Sequence, residues 1–450
     1  MTKSNTKNMT EGNPLLLIMQ FAFPLLLGNL FQQTYNVVDA AIVGRILGAN
    51  ALAGVGASSS VQFLILGFCI GICAGFSVPV AQRFGAGDTR SLRRFIFHSV
   101  ILIVFLSVIL TLICCLLCKG ILNILHTPGD IYSDAYAYLF VIFLGIPFTL
   151  LYNITAGVLR AVGDSRTPFI FLALSTAFNI GLDLFCIIVL KWGVAGAALA
   201  TVASQAISGI LCLIFILKKM TFILPEKDDC VLKLSYILNL LSMGLPMGMQ
   251  YSITAIGSMF MQSANNSLGS VYVSGFTAAM KIKQFTMCPF DALATAVSTF
   301  AGQNYGAGNV KRIRDGVKIG VIVGIIYGIL AGIVNIFFGR TLSLLFISAD
   351  SAAILDAAAR YLRALGFFYW ALGILNVCRM SVQGLGFSAL TIFSGFTEMV
   401  ARILMSVFAV PAFGYAAICF TDQSAWLSAC FYIVPTCIYC INKIDHILNS

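Results

Sequence analysis

Charge is scarce in this 450-residue chain. Asp, Glu, Lys and Arg make up 10% of it, against about 25% in a soluble domain. With 59% hydrophobic residues beside so little charge, the chain cannot keep a polar surface in water and belongs in a bilayer. Histidine is scarcer still. The three present, His98, His126 and His446, are scattered, whereas a membrane-embedded enzyme needs His, Asp or Cys clustered at one interface. No glycine-rich loop ends in the lysine-threonine pair of a P-loop, and neither GAG segment follows a strand, so nothing here cradles a nucleotide. The first twelve residues, MTKSNTKNMTEG, offer no apolar core and no small-residue cleavage site. No removable signal peptide is expected, and the first apolar segment is read as a true span.

Cysteine, by contrast, is plentiful, with fourteen copies. Most lie inside apolar runs, among them Cys69, Cys73, Cys114, Cys115, Cys118, Cys186 and Cys212, where a free thiol behaves as a small hydrophobe. Cys114 and Cys118 share a helical face, but no histidine or carboxylate stands near enough to complete a metal site. The net charge of +10 is dispersed among loops rather than striped along one element, so no nucleic-acid partner is expected.

Runs long enough to cross a bilayer occur twelve times, roughly at 14–40, 52–81, 93–118, 133–157, 167–190, 194–217, 236–262, 271–300, 317–340, 353–377, 388–411 and 414–441. All read as helices, because an open sheet cannot satisfy its backbone in lipid. Loops on the side of the termini hold about three times the Lys and Arg of the opposite loops, which places both termini in the cytoplasm. The charged stretch KKMTFILPEKDDCVLK divides the chain. The domains expected are an N-terminal six-helix bundle over 1–217, a cytoplasmic linker over 218–235 and a C-terminal six-helix bundle over 236–450.

The halves repeat. QRFGAGDTRSLRR at Gln82–Arg94 returns as QNYGAGNVKRIRD at Gln303–Asp315. In nearly the same register Gly48 falls on Gly269, Gly193 on Gly414, Pro24 on Pro246 and LRAVGDS on VQGLGFS. An even number of spans per half gives both the same orientation. The fold expected is all-α and polytopic, two six-helix bundles related by a pseudo-two-fold axis along the membrane normal, with a substrate path between them.

Ionisable residues read inside the spans are Asp39, Asp183, Lys281, Lys283, Asp291, Glu398 and Arg402. A carboxylate in hydrocarbon is costly and marks a functional site by default. Asn179 and Asp183 project from one face of the fifth span, four residues apart, at an outer-half depth matching that of Asp39. Two carboxylates and an amide at one depth form a candidate proton or cation site, and their oxygens suit a hard cation such as Na+. Pro24 frees a carbonyl in the first span and invites a bend. Glu398 and Arg402 read as an i, i+4 ion pair within one helix. Lys281 lies near mid-depth and could line a cavity, Lys283 could snorkel or pair, and Asp291 lies nearer the cytoplasmic end. Seven of the fourteen methionines fall between Met243 and Met287, which suits an adaptable binding surface or simple lipid-facing packing.

The segments PLLLGNLFQQTYNVVDAAIVGRILGANALAGVG, VAQRFGAGD, LRAVGDSRTP, FNIGLDLF, GLPMGMQ and STFAGQNYGAGN resemble the multidrug and toxic compound extrusion (MATE) transporters, from about residue 12 to about residue 412. The resemblance implies a secondary antiporter of the cytoplasmic membrane that exports lipophilic, often cationic compounds in exchange for H+ or Na+. It implies no cofactor, and a monomer is expected. It also implies a cation site at Asp39, Asn179, Asp183 and Thr201, with Tyr35 and Asn153 as neighbouring network. Some MATE proteins carry a carboxylate one turn after the Gly-Leu-Pro of the seventh span. PMGMQYSITA has none here, so the resemblance favours the DinF-like branch without a second-half cation site. Three alternatives stay open: a lipid-linked oligosaccharide flippase of related architecture, a membrane-embedded enzyme and a passive channel.

Overall fold

The computed structural model describes residues 6–124 and 127–449, and His126 lies outside them. The chain runs as α1 (Pro14–Ile46), α2 (Ala49–Gly85), α3 (Thr89–Ile124), α4 (Gly129–Leu144), α5 (Ile146–Ala161), α6 (Arg166–Leu184), α7 (Gly193–Lys219) and α8 (Leu234–Asn266). It continues as α9 (Ser270–Gly306), α10 (Val310–Ser343), α11 (Ala352–Gly366), α12 (Tyr369–Gly384), α13 (Ser388–Leu404), α14 (Val410–Phe413) and α15 (Tyr415–Asn449). Among the described residues, eight spans are long and apolar enough to cross a membrane on their own. Two more are bent pairs, α4–α5 at 46° and α11–α12 at 56°. With α8 and α9, of 33 and 37 residues, they make twelve transmembrane helices in two six-helix bundles.

The internal repeat is written into the backbone. Left-handed φ values occur at Gly48 and Gly269, Gly87 and Gly308, Gly163 and Gly386, Gly193 and Gly414. Each pair sits at the same turn of its own half, and only a residue without Cβ takes that conformation without strain. One π-helical segment, Phe185–Val189, follows α6, and another, Met405–Ala409, follows α13 at the corresponding place.

Contacts divide the chain into two compact units, one of Met1–Asn8 with Leu27–Gly248, the other of Met9–Leu26 with Met249–Ser450. The sequence reading divides the chain at 218–235 instead. The units part inside two helices, at Leu26/Leu27 in α1 and at Gly248/Met249 in α8. Pro24 and Pro246 each stand two residues before the crossing.

In the first unit, α2 crosses the first turns of α8 on glycine. A Cβ on Gly75 would stand 2.5 Å from Gly244 Cα, and one on Gly71 would stand 2.6 Å from the Met247 carbonyl oxygen. Hydrocarbon supplies no hydrophobic drive between helices, so such close backbone approach supplies dispersion instead. The segment after α7 is tied down on α3. Arg93 Nε donates to the Phe222 carbonyl (2.9 Å), Arg93 also pairs with Glu226, and Arg94 lies 3.5 Å from Asp229. His98 donates from Nδ1 to the Arg94 carbonyl (2.6 Å), and its Nε2 accepts the Lys233 N–H (3.0 Å).

The second unit holds a glycine ridge on α10, Gly316, Gly320, Gly324, Gly328 and Gly332, spaced every fourth residue along one face. A Cβ on Gly328 would stand 2.7 Å from the Trp370 nitrogen, and Gly324 packs against Gly373. At the second GAG turn, Arg312 donates to the carbonyls of Gly12 (2.8 Å) and Met9 (3.0 Å), while the Met9 N–H donates to Gln303 Oε1 (2.9 Å). The arginine-rich stretches after the two GAG turns therefore grip the segments that lead into α1 and α8.

Candidate functional site

The first unit brings Asp39 of α1 and Asp183 of α6 together, their side chains within electrostatic reach of each other. Both are buried, Asp183 completely. Asn179 lies one turn before Asp183 on the same helix and is also buried. No hydrogen-bond donor among the described residues reaches Asp39 Oδ1 or either Asp183 oxygen, and both atoms of the Asn179 amide lack a partner. Buried polar groups in folded proteins are almost always hydrogen-bonded, so these unsatisfied atoms mark the cluster as a candidate proton or cation site.

Tyr35 lies four residues before Asp39, one turn away. Its hydroxyl donates to Thr201 Oγ1 on α7 (3.2 Å), and Thr201 in turn donates to the Ala197 carbonyl (3.2 Å). The resemblance-implied quartet and Tyr35 thus come from α1, α6 and α7 of one unit. Asn153 is held otherwise: its Nδ2 donates to the Thr149 carbonyl on its own helix (2.8 Å). Tyr138 of α4, not anticipated from sequence, places a buried phenol within electrostatic reach of Asp39 and Asp183. No periodicity marks it, because its helix carries four other aromatic residues, Tyr132, Tyr136, Phe140 and Phe143.

The π-helical segment begins two residues after Asp183. Such an insertion re-aims side chains at a helix end and recurs at functional sites.

The second unit carries charge of a different kind. Lys283 Nζ stands 2.5 Å from Asp422 Oδ2, and the Tyr361 hydroxyl donates to the same oxygen (2.5 Å). Arg402 Nη2 lies 3.1 Å from Asp422 Oδ1 and 3.4 Å from Glu398 Oε2. Arg379 pairs with Glu398 and donates from Nη2 to Ser394 Oγ (2.9 Å). The Glu398–Arg402 pair does form within its helix as read, but it is one link in a chain across α9, α12, α13 and α15. Asp422 and Arg379 escaped the sequence reading. Asp422 lies in a polar triplet, Thr421-Asp422-Gln423, within the last span. Lys283 pairs rather than snorkels. Lys281 is half-buried, and Asp291, exposed, accepts from Asn376 Nδ2 (3.3 Å).

The MatE family model matches residues 24–185 and again 246–408, once in each half. The chain is 35% identical over 386 residues to the probable multidrug resistance protein YpnP of Bacillus subtilis (strain 168), covering 84% of both chains. It is 26% identical to the probable multidrug resistance protein NorM of Thermotoga maritima, covering 82% of this chain and 80% of that one. Among solved structures, a MATE protein in complex with MaL6 superposes with a TM-score of 0.90 at 22% identity, over 99% of this chain and 100% of the other. The chain belongs to the MATE family of membrane transporters.

Proposed function

We propose that this protein is a secondary antiporter of the cytoplasmic membrane, with both termini in the cytoplasm, working as a monomer. It exports lipophilic small molecules, cationic ones among them, in exchange for H+ or Na+. The observation that carries this reading is the cluster of Asp39, Asn179 and Asp183, whose buried oxygens Asp39 Oδ1, Asp183 Oδ1 and Oδ2 and Asn179 Oδ1 have no donor among the described residues.

Two carboxylates facing each other repel, and a cation between them removes the repulsion. A proton does so by bridging the oxygens. Na+ does so by taking oxygens from the carboxylates, the Asn179 amide and Thr201, with Tyr35 holding the Thr201 hydroxyl in place. Loading the cation draws α1 and α6 together, and release lets them part. Pro24 gives α1 a place to bend, because its missing N–H removes one backbone hydrogen bond from the ladder. That place lies where α1 passes from one compact unit to the other. Coupling follows if the ion and the exported compound favour different positions of α1, since equal affinity for both would shift nothing.

The test is ion-driven export in proteoliposomes with H+ and Na+ gradients imposed separately. Asp39→Asn should abolish export under whichever gradient drives the parent protein. Full export by Asp39→Asn would overturn the assignment.

A further inference from the structure

α9 carries two lysines two residues apart, and the structure treats them oppositely. Lys283 turns into the core of its unit, where Asp422 neutralises it and the Trp426 ring lies 5.5 Å away. Two residues along a helix turn the side chain about 200°, so Lys281 leaves from the other side. It is half-buried, and among the described residues it makes no ion pair. Gln284 and Asp291 follow three and ten residues later on the same face, and both are exposed. α9 is absent from the spans apolar enough to stand in a membrane alone, as a helix with a polar strip must be.

At about 1.5 Å per residue, Lys281 and Asp291 are roughly 15 Å apart along the axis. Both lie within about 10 Å of the middle of α9, inside a hydrocarbon core about 30 Å thick. An amine, an amide and a carboxylate open on one face at that depth are strongly disfavoured against acyl chains, and such residues line water-filled space. Lys281 is then a cation partly stripped of water with no counter-charge of its own. The far end of the strip is acidic, and Asp291 is already engaged by Asn376.

We propose that Lys281 is a substrate-selecting residue that takes the anionic group, a carboxylate, sulfonate or phosphate, of an amphiphilic substrate. Gln284 adds amide hydrogen bonds beside it, and Asp291 repels the anion from the other end and so fixes the substrate's direction along α9. Headgroups of the surrounding bilayer lie farther from the midplane than Lys281, so the ligand is a compound in the transport path. This inference rests on the antiport reading and narrows its substrate class from lipophilic small molecules in general to those that also carry negative charge.

The experiment compares a rhodamine bearing a free carboxylate with its ethyl ester in proteoliposomes, with and without an anionic phospholipid. In Lys281→Met the carboxylate-to-ester transport ratio should fall about tenfold, the scale of one lost charge-assisted hydrogen bond, and Lys281→Arg should restore it. An unchanged ratio in Lys281→Met overturns the proposal, as does an equal loss of both dyes. Lys281→Gln serves as the second variant if the methionine protein does not elute as a single species. Suppression of carboxylate transport by the anionic lipid in the parent protein, absent in Lys281→Met, would make a lipid headgroup the ligand and overturn the soluble-substrate assignment. Transport of neither dye by the parent protein would overturn the antiport reading, and this inference with it.

Discussion

Asp422→Asn is the sharpest probe of the second unit. Asp422 faces Lys283 at 2.5 Å, Arg402 at 3.1 Å and the Tyr361 hydroxyl at 2.5 Å, and it is buried. The connected chain holds three cations, Lys283, Arg379 and Arg402, against two carboxylates, Asp422 and Glu398. Asparagine keeps the size but removes the charge, and its NH2 must point at donors that have lost their acceptor. Breaking a buried pair by removing one partner costs about 3–5 kcal/mol, because the other charge stays buried and uncompensated. For a unit of some two hundred residues that is a melting-point fall of roughly 10 °C, at about 2–4 °C per kcal/mol. The assay is thermal unfolding in detergent, followed through intrinsic tryptophan fluorescence, since Trp426 sits against Lys283. Lys283→Met combined with Asp422→Asn should recover part of the loss, because the two positions share one interaction. Asp291→Asn, at an exposed carboxylate, serves as the control and should move the midpoint little. Unfolding of Asp422→Asn within about 2 °C of the parent protein would refute the claim that this network is what holds charge inside the unit.

Arg312→Ala removes its own hydrogen bonds to the Gly12 and Met9 carbonyls, so the segment before α1 should become open to limited proteolysis while the helices stay protected. Gly75→Leu should prevent folding and reduce membrane expression sharply, since its Cβ alone would sit 2.5 Å from Gly244 Cα. Asp164 accepts from the N–H groups of Arg166 and Thr167 at the start of α6, and Asp164→Ala should lower stability by about 1 kcal/mol, read as a small shift in the same unfolding assay. Pro24→Ala restores a backbone N–H at the crossing point of α1 and should slow export without lowering thermal stability, measured as initial rate against melting midpoint.

Most of the architecture was legible because bilayers simplify the rules. Apolar length marked the helices, and the repeat of Gly48, Gly87, Gly163 and Gly193 marked turns whose left-handed backbone the structure then displays. Asp39 and Asp183 stood out because a carboxylate in an apolar run has few reasons to be there. Their approach could be inferred only from depth, which gives height along a helix but no rotation toward a neighbour. Rotation is also why Lys281 and Lys283, two residues apart, meet opposite fates. Asp422 was hidden by its neighbours. It lies in a polar triplet, Thr421-Asp422-Gln423, that looks like the break of a span, yet all three residues are buried. Its cations come from α9 and α13, far away in sequence, and no spacing rule connects them.

The passage of α1 and α8 from one unit to the other bears on how the protein is made. Residues 9–26 leave the ribosome well before the rest of the unit they complete, which resumes only at residue 249. The other unit, begun earlier, needs residues up to 248 before it is whole. During synthesis the start of α1 must therefore wait in the membrane without its own neighbours while more than two hundred residues are inserted. A fragment ending after α7 would keep that unclaimed start and lack the first turns of α8, so the two halves are bound into one product by their order of assembly.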